Sequence, residues 1–121
     1  MPIVVPPGAT TYQLIIELAF LVRIQVGRLG IADFPAGMFV YTGSARRGVE
    51  ARVRRHLTGA RRLHCHIDYL LACGHARVTE VRFSSEPECL LNQRTNGQIV
   101  LRGFGASDCR AGCGAHLRRI G

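Results

Sequence analysis

The chain has 121 residues and a mass of 13.3 kDa, enough for one domain around one core and too little for a second catalytic domain. Sixteen basic residues against eight acidic ones give a net charge of +8 and an isoelectric point near 10.3. That balance favours a polyanionic partner, nucleic acid above all. Every basic residue is arginine, which coding bias largely explains, but bias does not explain why positives outnumber negatives two to one. A hydrophobic fraction of 47% and a mean hydropathy of +0.11 exclude a disordered chain. No apolar run reaches membrane-spanning length, since Arg23 and Arg28 interrupt the best candidate. The opening prolines, without a basic leader, read as no signal peptide. Five cysteines, an odd number without regular spacing, argue for reduced thiols, and the expected compartment is the cytoplasm.

Residues 1–9, with three prolines and a glycine, read as an extended lead-in to a single domain filling 1–121. Thr10 to Leu18 is rich in β-branched and aromatic residues and predicts a strand centred on Tyr12 to Ile16. Val22, Ile24 and Val26 alternate with Arg23 and Gln25, the period of a half-buried strand. Gly27 through Pro35 carries turn signals, and a strand follows from Gly37 to Thr42. Val49, Val53 and Leu57 recur every four residues and mark a helix over 47–57, stopped by Gly59. A short helix is expected between Leu63 and Cys73, a strand over Ala76 to Phe83, and a third helix from Ser85 to about Arg94. A short strand at Ile99 to Leu101, a glycine-rich turn and a closing segment at His116 to Ile120 complete the chain. Mixed helices and strands with antiparallel-compatible connections give an α+β class: a small, mainly antiparallel sheet flanked by three helices.

The informative stretch runs from Tyr41-Thr42-Gly43 through Ser44-Ala45 to Arg52 and His56. A strand delivers a tyrosine, a glycine turn follows, and a helix then places Arg52 and His56 one turn apart beside the Val49/Val53 stripe. An arginine and a histidine at the edge of a core, next to a strand tyrosine, fit a phosphodiester.

These residues resemble the GIY-YIG nucleases. Thr10-Thr11-Tyr12 is similar to the first element of that family, keeping only its tyrosine, and Tyr41-Thr42-Gly43 is similar to the second. Phe34-Pro35-Ala36-Gly37, the tract Leu63-His64-Cys65-His66-Ile67-Asp68-Tyr69-Leu70-Leu71, and Gly103 through Cys109 resemble the compact Uri-like endonuclease branch. The resemblance spans about Thr10 to Leu117. It implies a metal-dependent endonuclease that hydrolyses DNA, with RNA left open as a substrate and DNA repair as the associated process.

The resemblance also implies roles. Tyr12 would be the general base, and a phenol near pKa 10 serves as one at neutral pH only where nearby positive charge lowers it, which Arg52, His56 or a metal could supply. Tyr41 would contact the phosphate or the attacking water, Arg52 would clamp the phosphate with its planar fork, and His56 would bond Tyr12 or the leaving group. Glu88 would hold Mg²⁺ or Mn²⁺, with Glu80 and Glu86 as substitutes. Ser85-x-x-Glu88 also reads as a capping box, which would turn Glu88 back to the Ser85 amide. His64 is the further catalytic candidate, although either His64 or His66 could face the site, and Asp68 follows the same logic. Arg46, Arg47, Arg54, Arg55, Arg61 and Arg62 would track the nucleic-acid backbone. Cys109, Cys113 and His116 are too compressed for the common zinc patterns, even if Cys65 or His64 completed them, so zinc is not expected. No membrane partner is expected and the oligomeric state stays open. The rival reading is a non-catalytic basic nucleic-acid-binding module on the same fold.

Overall fold

A computed structural model describes residues 3–59, 62–107 and 109–121. Two long strands form its centre, β1 (Thr11–Leu18) and β4 (Gly37–Ser44), paired antiparallel with Tyr12 opposite Gly43 and Leu14 opposite Tyr41. Between them in sequence, β2 (Val22–Gln25) and β3 (Ile31–Phe34) form a separate two-stranded ribbon. The segment expected to be turn from Gly27 to Pro35 therefore contains a strand. Only a 3-10 turn over Gly27–Leu29 separates β2 from β3, and Arg23 of one bonds Asp33 of the other. Ile31 is exposed, so the ribbon's second strand lacks the alternation that marks a half-buried strand in a sequence.

Three helices follow the expected order: α1 (Val49–Thr58), α2 (His66–Leu71) and α3 (Glu88–Arg94). β5 (Ala76–Ser84) flanks β1, and β6 (Leu117–Arg119) closes the sheet against β4, giving the order β5-β1-β4-β6, antiparallel throughout. The α+β class holds, with the dimensions of a small GIY-YIG-like domain. Ile99 to Leu101, expected as a strand, is irregular; nearby there is only an isolated bridge from Gln98 to Arg119. Three residues with half-buried side chains cannot hold a strand without ladder partners on either side.

Tyr12, Leu14, Ile16 and Leu18 share one face of β1 and enter the core with Phe39 and Tyr41 of β4 and Val49 and Val53 of α1. Phe34, Phe39 and Phe104 meet edge-on, with ring centres 6.0 and 6.4 Å apart. The opposite face of β1 is also covered. Gln13 is buried there and its amide donates to both Thr42 and Thr95, which ties the central strands to the end of α3. Both faces of the sheet are thus covered near Tyr12, and of the residues singled out above Tyr12 and Tyr41 project from that region.

No helix among the described residues is long and apolar enough to cross a membrane.

Candidate functional site

Tyr12, Tyr41, Ser44, Arg52, His64 and Glu88 line one open cleft of about 410 Å³. They come from five places in the chain: the two central strands, α1, the approach to α2, and the first turn of α3. His56 stands behind them, buried, at the tyrosine pair. The cleft therefore unites Tyr12, Tyr41, Arg52, His64 and Glu88, with His56 one residue deeper.

The close approach of Tyr12 to β4 depends on Gly43. A Cβ at that position would lie 2.5 Å from the Tyr12 hydroxyl, so the ring crosses the partner strand only where there is no side chain. This is a steric reason for the glycine in Tyr41-x-Gly43. The Tyr12 hydroxyl then meets His56 Nε2 at 2.8 Å, with both side chains buried. Burial pushes the His56 imidazole down to about 4, against the opposing pull of Asp68, so the ring is neutral at pH 7. The Tyr12 O–H donates to the Nε2 lone pair, and the proton on Nδ1 faces Asp68, whose nearer oxygen is 3.8 Å away. Burial also raises the Tyr12 and Tyr41 phenols above their ordinary value, and Arg52 offsets only part of this. Desolvation thus outweighs the Arg52 charge at Tyr12, and His56, being neutral, adds none; its Nε2 is instead the hydrogen-bond partner of the Tyr12 hydroxyl.

Asp68 is nearly inaccessible, and its charge is held by donors on all sides. Arg55 forks onto its two oxygens at 2.9 and 3.1 Å, and the amides of His64 and Cys65 each donate at 2.9 Å. Burial works against the charge, but Arg55 and these amides keep the carboxyl below its usual range. Arg55 is thereby committed to tying α1 to α2 instead of being free to track a nucleic-acid backbone. Arg54 lies 3.6 Å from Glu50, one helical turn away, whereas Arg46, Arg47 and Arg62 are exposed. Arg61 lies outside the described residues.

Glu88 does not form the capping box that is the alternative reading of Ser85-x-x-Glu88. Pro87 is the N-cap of α3, without a side-chain cap bond, and Ser84 Oγ instead accepts the Glu86 amide. The Glu88 carboxylate turns into the cleft, where Oε1 accepts the Ser44 hydroxyl and Oε2 lies 2.5 Å from His116 Nδ1. Burial opposes its charge, but His116, Ser44 and Arg52 hold the carboxyl below its ordinary value. Glu80 pairs with Arg82 and Glu86 with Arg94, and neither lines the cleft. Each Glu88 oxygen has a second lone pair, and a carboxylate in a polar cleft fits one hard cation that keeps waters and phosphate oxygens as its other ligands.

Both members of the histidine pair line the cleft: His66 Nδ1 accepts the Gly105 amide at 2.8 Å and its ring packs on Phe104, whereas His64 is exposed. Sequence reasoning missed the partners of Glu88 and its neighbour Cys89. His116 and Ser44 belong to other elements, and no spacing within the chain signals that they converge on a helix start. Asp68 was placed by its motif alone; its function as anchor for Arg55 and neighbour of His56 emerges only from packing.

The chain belongs to the family described as a domain of unknown function, DUF123, whose family model matches residues 11–121. No curated protein and no solved structure matches it.

Proposed function

We propose that this chain is an endonuclease of GIY-YIG type, of the Uri-like branch, that hydrolyses DNA phosphodiester bonds with one divalent ion, in the context of DNA repair. The observation that carries the reading is the convergence of the Tyr12–His56 hydrogen bond, Arg52 and Glu88 on one cleft. Hydrolysis at phosphorus needs a deprotonated water, compensation of charge on the phosphate, and a leaving oxygen that can depart. Tyr12 bonds the attacking water and removes its proton as its own proton passes to His56 Nε2. The nearby Asp68 carboxylate favours the imidazolium that results. The Arg52 guanidinium, on the exposed side of the cleft, takes two phosphate oxygens in its fork and offsets the developing negative charge. Tyr41 holds the water in line through its hydroxyl, and His64 at the rim reaches the strand on the leaving side. Glu88 would hold a Mg²⁺ or Mn²⁺ ion, which when bound would supply Lewis-acid polarisation of the phosphate. The exposed Arg46, Arg47, Arg54 and Arg62 give affinity through the backbone without selecting a sequence.

The test is cleavage of a panel of DNA forms (single-stranded, duplex, nicked and branched) with Mg²⁺ or Mn²⁺ and with chelator. Wild type is expected to cut at least one form only with metal, and Arg52→Ala and Glu88→Ala to lose at least about a hundredfold in rate. Undiminished cutting by both variants would remove the catalytic assignment. Salt-sensitive binding without cleavage of any form would make the chain a binding module.

A further inference from the structure

We propose that Cys89, Cys109, Cys113 and His116 form a tetrahedral zinc site. The four ligand atoms lie within 4.8 Å of one another, with half-buried or buried side chains. Cys89 Sγ is 3.5 Å from Cys109 Sγ and 3.9 Å from His116 Nε2. Zinc–sulfur bonds of about 2.3 Å at tetrahedral angles set ligand atoms about 3.7 Å apart, so an ion at the centre of this group needs only small side-chain adjustments. Four ligands close the coordination sphere, the mark of a structural site.

Cys109, Cys113 and His116 alone lack the paired spacing of common zinc motifs. The fourth ligand is neither Cys65 nor His64 but Cys89, 20 residues upstream of Cys109 in the first turn of α3. The chain is shaped around the group. Gly112 and Gly114, at φ +73° and +80°, turn the backbone on either side of Cys113, a conformation side chains other than glycine rarely adopt. Gln93 Nε2 donates to Cys113 Sγ at 3.4 Å, as a donor does to a zinc-bound thiolate. The two nitrogens of His116 divide their work: Nε2 faces the sulfurs and Nδ1 faces Glu88 Oε2. A carboxylate on the non-ligating nitrogen is the usual way a ligand histidine is fixed in tautomer and orientation.

An ion here would pin the loop over 109–116 to α3, where the glycine-rich chain has little apolar surface of its own. The site stands whether or not the cleft cuts DNA. Its consequence that the ion fixes Glu88 toward the cleft, through His116, rests on the proposed function.

Metal analysis of the reduced, purified chain is expected to find one zinc per molecule, and Co²⁺ in its place to give thiolate-to-cobalt charge-transfer absorption. Chelator should lower the thermal midpoint of the wild-type chain, and added Zn²⁺ should restore it. Cys109→Ser and His116→Gln should lose the zinc and weaken the cobalt band, while Cys73→Ser keeps both. Because the chelator experiment uses wild type, a variant that fails to fold leaves the proposal open to refutation. It is overturned if the folded, reduced wild type takes up neither Zn²⁺ nor Co²⁺, if Cys109→Ser retains full zinc, or if Cys89 and Cys109 are recovered as a disulfide.

Discussion

At the scale of single residues, the site rests on a neutral histidine and a glycine. With His56 held down to about 4 in the folded chain against about 6.5 when unfolded, the unfolded state takes up the proton first as pH falls. The stability tied to this ring is therefore complete above pH 6.5 and lost progressively down to about pH 4, in total about 3 kcal/mol. Urea titrations of wild type and His56→Gln between pH 4 and 7 should show the difference between the two shrinking with acid. A constant difference would mean that the ring does not titrate in that range. Gly43→Ala should displace the Tyr12 ring, because the new Cβ falls 2.5 Å from its hydroxyl and the ring is fully buried. We expect a loss of about 1–3 kcal/mol in thermal or denaturant unfolding. The residues of the tyrosine–arginine–histidine cluster were legible because they lie on one strand–turn–helix unit, whose local geometry follows from spacing. Glu88 was legible only as a carboxylate near a helix start. Its turn toward Ser44 and His116 depends on how α3 docks against β4, and nothing local encodes that.

At the scale of elements, α1 and α2 are joined by one buried carboxylate. Arg55 and two amides saturate Asp68, and the Arg55 side chain remains partly in solvent. Arg55→Ala should cost about 1–3 kcal/mol, the penalty of leaving a buried acceptor short of donors, reduced by water that can reach the vacated side. The exposed Arg46→Ala and Arg47→Ala should stay within about 0.5 kcal/mol of wild type, and chemical denaturation of the three variants separates the classes. Elements with a clear local signal in composition or period were readable: β1, β4, α1 and β5 all lie within two or three residues of their expected bounds. β3 was not legible, because its outward-facing positions include the apolar Ile31, which hides in the sequence the alternation that its burial shows. Ile99 to Leu101 misled in the other direction, its apolar side chains packing on the core from an irregular backbone.

At the scale of the whole molecule, the charge of +8 has been divided among several tasks. Arg55 ties α1 to α2, Arg23 pairs with Asp33 on the surface of the two-stranded ribbon, Arg52 faces the cleft, and Arg46 and Arg47 stand exposed on the turn that leads from Ser44 into α1. If that turn contacts phosphates, the double variant Arg46→Ala/Arg47→Ala should flatten the plot of log affinity against log salt by about two units. An unchanged slope would place nucleic acid on another face. The central claim is that Tyr12, relieved of its proton by His56, activates water for attack on DNA. Its most direct test is the metal-dependent cleavage rate of Tyr12→Phe beside wild type, at saturating DNA. That variant keeps the ring over Gly43 and removes only the hydroxyl. The account predicts that DNA binding survives and cleavage falls by at least about a hundredfold; a Tyr12→Phe protein that cuts at the wild-type rate would contradict it.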